Sequence, residues 1–207
     1  MRRWQMARQG LQSFVLVVLI LVSCSAPGSD NPQEGCGGLE AAVSCLEITR
    51  IAPRYLSSDT SNVDAFRATC ADGTAEPFTD HQANITFTNT RFPTASGSFD
   101  IRILSYTVSY TLNQCPERAI GCPPLPGFSV ADSTLLDPAG SSVTATFPFV
   151  PLRVKDEYRA AGGELFSTFL PSYTATYIFT AQTTRFNDTF TVRGGAEFTI
   201  GAFNNCP

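Results

Sequence analysis

The sequence predicts an all-β protein, an antiparallel β-sandwich of about seven strands. Three observations carry this prediction. From residue 46 onward apolar and polar side chains alternate at period two, the signature of half-buried strands. The alternating runs are rich in β-branched and aromatic residues, and Pro, Gly, Asn and Asp separate them. No segment carries a sustained helical period, and one-sided strands without helices to cover them bury their apolar faces by packing sheet on sheet.

Residues 46–51 form the first candidate strand, with Pro53 expected to stop it. Residues 54–81 read as irregular, with turn signals at 57–62 and 71–74. Residues 84–90 alternate, Ile85 and Phe87 on one face and Thr86 and Thr88 on the other. In residues 100–112 the apolar phase changes between Ile101/Ile103 and Leu104/Tyr106/Val108, which requires an extra residue near Ile103-Leu104. A Pro- and Gly-rich connection over 113–140 holds one short strand at 128–131. Val143, Ala145, Phe147 and Phe149 then alternate with threonines, and Pro148 and Pro151 mark the strand's end as an edge. Residues 152–170 are ambiguous, with a helical turn expected at 156–161 before Gly162-Gly163. Tyr173, Ala175, Tyr177, Phe179 and Ala181 share one face of the next strand, followed by a turn at 185–188. Phe190, Val192, Ala196, Phe198 and Ile200 keep one phase through Gly194-Gly195, which predicts one long strand bent or bulged at the glycines. These faces commit Ile85, Phe87, Tyr106, Val108, Phe147, Tyr177, Phe179, Phe198 and Ile200 to the core. An up-and-down barrel is the alternative architecture.

Pro171-Ser172-Tyr173-Thr174-Ala175-Thr176-Tyr177 resembles the penultimate strand of immunoglobulin-like and fibronectin-type modules. The resemblance implies a structural role for Tyr173, whose hydroxyl would bond back to backbone. Ile85-Thr86-Phe87-Thr88-Asn89-Thr90, the run from Asp100 to Tyr110 and the final hairpin resemble bacterial envelope lipoproteins built around one such sandwich. That likeness covers about a third of the mature chain and implies structure or protein interaction as the role, with no catalytic residues to carry over.

The N-terminus supplies the second half of the resemblance. Arg2, Arg3 and Arg8 precede the apolar run 14–22, too short to span a bilayer, and the pattern is that of a signal peptide over residues 1–23. Leu21-Val22-Ser23-Cys24 is similar to the lipobox of bacterial lipoproteins, which implies that Cys24 is acylated and becomes the first residue of the mature chain. Buried acyl chains add about 0.8 kcal/mol per methylene, so two or more hold a soluble domain stably at a membrane surface. Residues 24–35 are polar and broken by Pro and Gly, a flexible tether. With Ser25, not Asp, after the Cys, the lipoprotein resemblance implies the outer membrane in a Gram-negative cell. Residues 36–207 then form a single domain with a Cys-rich start.

Loss of residues 1–23 removes three of the 14 basic side chains and none of the 18 acidic ones, taking the charge from −4 to about −7. A basic stripe for nucleic acid is absent. Apart from Cys24 the cysteines are Cys36, Cys45, Cys70, Cys115, Cys122 and Cys206, an even set expected to form three disulfides after export. Only Cys115–Cys122 is favoured locally, because a Pro- and Gly-rich loop joins them. With no C-x-x-C pair and one His, nothing specifies a zinc site or other cofactor.

His81 is the only imidazole base and is expected in a turn or at the surface. Gly127-Phe128-Ser129-Val130-Ala131 fails the G-x-S-x-G pattern at its last position. Asp72, Glu76 and Asp80 share one loop and could offer oxygens to calcium, though without the spacing of an EF-hand. The six tyrosines could stack on a glycan. Asn84-Ile85-Thr86 and Asn187-Asp188-Thr189 match the glycosylation pattern, expected by chance in a bacterial protein. The leading expectation is a non-enzymatic, lipid-anchored envelope module with a protein partner. A calcium- or glycan-binding module is the second, and a carboxylate hydrolase with a deep two-acid cleft the third. Of the basic residues after the signal only Lys155 is a lysine, which the sequence alone does not explain.

Overall fold

The computed structural model describes residues 44–91, 100–117, 119, 121–136, 141–166, 168–184, 187 and 189–206. Among them the elements are β1 (Ser44–Tyr55), β2 (Ser58–Asp59), β3 (Asn62–Asp64), β4 (His81–Arg91), β5 (Ile101–Gln114), β6 (Phe128–Ala131), β7 (Leu135–Leu136), β8 (Ser141–Val150), α1 (Leu152–Ala160), β9 (Ser172–Thr183) and β10 (Thr189–Gly201). Against the seven or so strands expected, the additions are β2, β3 and β7, each two or three residues long. Two sheets form, β2-β1-β4-β8 and β3-β10-β9-β5-β6, with β7 also on β5. The pairings are antiparallel except β3 with β10, which is parallel.

The inner faces of both sheets meet in one aromatic core. Phe179 of β9 takes Phe87 of β4 and Phe147 of β8 edge-on, at ring separations of 5.0 and 5.1 Å. Tyr106 lies 5.2 Å from Phe147, and Phe149 lies 5.1 Å from Phe198 of β10. Each such ring buries about 1.5–3 kcal/mol of hydrophobic free energy, and edge-to-face geometry adds about 0.5–1.5 kcal/mol per pair. All nine residues assigned to the core from alternation are buried. Tyrosine hydroxyls inside the core end on backbone oxygens: Tyr110 on Phe149, Tyr177 on Pro148 and Tyr173 on Pro123. Tyr173 thus bonds to backbone as its resemblance implied, but to the 115–127 connection some fifty residues earlier in the chain.

Several local expectations are met and others corrected. The register between β5 and β9 shifts between Ile103 and Ser105, so Leu104 is the extra residue that lets the buried phase change. β6 spans the four residues anticipated, and β8 is an edge strand. β10 runs unbroken through Gly194-Gly195, but its register with β9 is regular and no bulge occurs. Gly194 instead makes room for the facing sheet: a Cβ there would lie 3.0 Å from Ile51 Cδ1 and 3.2 Å from Ile48.

Pro53 does not stop β1, which continues to Tyr55. Its carbonyl accepts from Thr60 N, so the nitrogen on the same side also faces away from β4, and no ladder bond to β4 is lost. The helical turn expected at 156–161 is a nine-residue helix starting at Leu152, directly after Pro151. Asp80 Oδ1 caps it from a neighbouring segment, accepting from Leu152 N at 2.6 Å. The helix ends at Gly162, whose φ of 76° favours glycine. Its Val154, Lys155 and Tyr158 point inward.

Candidate functional site

The sandwich has two unlike ends. Ser44, where β1 begins, pairs with Arg91, whereas Arg54 at the other end pairs with Gln82. The register carried through His81/Val150, the Phe149–Phe198 contact and Thr199/Ser172 brings the start of β4 and β9 and the close of β1, β8 and β10 to that second end. The described residues of 60–80, 115–127, 151–171 and 202–206, both described disulfides and α1 gather there as a cap.

The cap is built where two strands part. β3 and β10 run parallel as far as Asp64 and Gly201, and Ala65 N still donates to Gly201 O at 2.7 Å. Beyond this the two chains diverge, and side chains replace the ladder. Asp64 Oδ1 accepts from Phe66 N at 3.1 Å and from Phe203 N at 3.2 Å. Glu76 accepts from Ala68 N through Oε2 and from Asn205 N through Oε1. Cys70–Cys206 forms the last rung. Each carboxylate thus takes one amide from each wall, satisfying donors that no strand reaches. Both are buried, at 0% and 5% exposure. Burial raises the Asp64 pKa, opposed by its two amide bonds and by Lys155.

The diverging walls enclose a cleft of about 670 Å³, lined by Phe66, Ala68, Ala71, Asp72, Glu76 and Phe203 together with the disulfide. Phe166 stands beside it, 73% exposed, its ring edge-on to Phe66 at 4.8 Å. Asp72 is held in its turn by the Thr74 amide and hydroxyl, which lower its pKa.

Beneath the cap lies a second polar group. His81, expected at the surface, is fully buried at the start of β4 and stacks on Tyr55 at 4.3 Å. Alternation could not reveal this, because the burial comes from β3 and α1 folding over the strand's end. Nε2 faces the Asn62 carbonyl at 3.0 Å and so carries the proton, leaving Nδ1 buried without a protein partner. Desolvation, assisted by Lys155, lowers the imidazole pKa to about 3. Lys155 is also fully buried: Nζ donates to Thr79 O at 2.6 Å and sits over the rings of Phe78 and Tyr55, at 4.6 and 5.2 Å. Desolvation lowers its pKa to about 8, against the pull of Asp64, Asp80 and Asp156. The chain's only lysine therefore occupies its one described site for a buried cation.

The remaining candidate residues fall as follows. Cys24 and Cys36 lie outside the described residues, and Cys45 contributes the β1 backbone. Cys115 is bridged to Cys122 and Cys70 to Cys206. Asp72, Glu76 and Asp80 are not brought together as a calcium set: one closes a turn, one joins the cap walls and one caps α1. The tyrosines offer no stacking platform, since Tyr110 is half-buried and the other five are buried. Asn84 accepts from Thr146 on the outer face, and Asn187 sits in a turn at φ 58°. Sequence reasoning missed Asp64 and Lys155. The lone lysine was the visible signal, whereas Asp64 gave none. The chain matches no family model, no curated protein and no solved structure.

Proposed function

We propose that this chain is a lipid-anchored module of a bacterial cell envelope, of immunoglobulin- or fibronectin-type strand order, that acts by holding a protein partner rather than by catalysis. The strand order supports the fold type: β1-β4-β8 opposite β10-β9-β5-β6 follows the A-B-E and G-F-C arrangement of such sandwiches. The lipobox-like Leu21-Val22-Ser23-Cys24 and the polar tether support the anchor.

The observation that carries the function is how the polar groups are used. His81, Lys155, Asp64 and Glu76 spend their bonds on backbone inside the cap, while four of the seven exposed large apolar side chains described (Leu56, Leu112, Phe166 and Phe169) lie toward the end remote from Ser44, the others being Val130, Leu135 and Ile178. A module tethered at one end and apolar at the other is suited to contact. Mass spectrometry of the native protein tests the anchor, with an acylated N-terminal Cys24 expected and any other start refuting it. Carboxylate-directed cross-linking in intact cells tests the role. A discrete higher-mass adduct is expected, and its absence would count against an interaction module.

A further inference from the structure

The cap cleft shows more than exposed surface. Its two walls are fixed to each other by the Asp64 rung, the Glu76 rung and the Cys70–Cys206 bond, so the space is held open rather than formed on demand. Among the described residues two acids line it, Asp72 and Glu76, and no basic one. Arg67, beside the lining residues Phe66 and Ala68 in sequence, lies over Phe78 at 4.6 Å and reaches Asp156 at 3.8 Å. Phe66, Phe203 and the exposed Phe166 give the same cleft an apolar rim.

We infer that this cleft is the docking site for a protein partner, and that the partner inserts a segment combining lysine or arginine with apolar side chains. The inference rests on the interaction reading above and deepens it by naming the surface and the chemistry it selects. Charge complementarity picks the cation, since an acidic segment would meet Asp72 and Glu76 without a counterion. The Phe166 and Phe66 rings supply the apolar contact that anchors such segments.

Site-specific photo-cross-linking tests this in cells producing the full chain. A benzophenone-bearing residue is placed at position 166, and in separate strains at 130 and 178, which lie on β6 and β9 and are also exposed. The expected result is one dominant adduct from position 166, absent from the other two, with lysine or arginine in the partner peptide attached. Asp72→Asn, which keeps an oxygen for the Thr74 turn, should lower that adduct about tenfold, the worth of one favourable charge contact. An independent Glu76-preserving control, Asp59→Asn, should leave it unchanged. Adducts from 130 or 178 but not 166 would overturn this inference while keeping an interaction module. Adducts from none of the three would overturn both. An adduct at 166 that is indifferent to Asp72→Asn, or that carries an acidic partner peptide, would overturn the cation assignment and with it the proposal.

Discussion

Replacing Cys70 and Cys206 by serine should cost far more stability than replacing Cys115 and Cys122. The two bridges close very different lengths of chain, 136 residues against 7. If a disulfide acts by restricting the unfolded ensemble, its worth grows with the logarithm of loop length. That gives about 5 kcal/mol for the long bridge and about 2.5 kcal/mol for the short one. Against a typical total of about 5–15 kcal/mol, the first loss brings the domain close to its unfolding threshold and the second does not. The local picture points the same way, because Cys206 also holds the end of the wall whose Phe203 and Asn205 amides serve Asp64 and Glu76. Urea denaturation of the full chain, followed by far-ultraviolet circular dichroism, measures both losses on one scale. Equal costs, or a larger cost for the short bridge, would refute the loop-closure argument and show that contacts around each bridge set its value.

Acid should destabilise the fold through His81: its folded pKa near 3 lies below the unfolded value of about 6.5, so stability is intact above that value and lost as pH falls toward 3. At about pH 4.5 the share is about 2.5 kcal/mol, read as the wild-type decline that His81→Gln lacks; parallel profiles would refute it. Lys155 works on the alkaline side, where a folded pKa of about 8 makes stability rise between about 8 and 10.5, by about 3 kcal/mol in all. Lys155→Met should remove that rise, measured as the difference from wild type so that the tyrosines, whose raised pKa values act oppositely above 10, cancel. Phe179→Ala should cost about 3–5 kcal/mol in thermal or urea unfolding, since the ring touches both sheets. Gly194→Val should cost about 1–3 kcal/mol by pressing on Ile48 and Ile51; a neutral result would mean that those side chains yield.

Strand faces were legible because burial on a sheet is periodic, and period two survives in sequence without knowledge of the partner strand. Leu104 was legible for the same reason, as a break in phase that only an added residue can absorb. Pro53 was misread because the rule against proline concerns the missing donor, and which side that donor faces depends on pairing. His81 was misread because its cover comes from other elements. Helix α1 showed only in part, its cap being Asp80, far away in the chain. The cleft was not legible at all. Its walls come from 64–76 and 202–206, and nothing local in either announces that a carboxylate from the first would satisfy an amide of the second.

A protein with a single amine-bearing side chain, itself sealed under two rings, carries its own reporter. Acylating reagents that attack primary amines should leave the folded domain untouched at Lys155 and modify it only when α1 lifts from the sheet. The rate of that modification, followed by intact mass, then counts the openings of this end of the molecule one by one, without a label having been introduced.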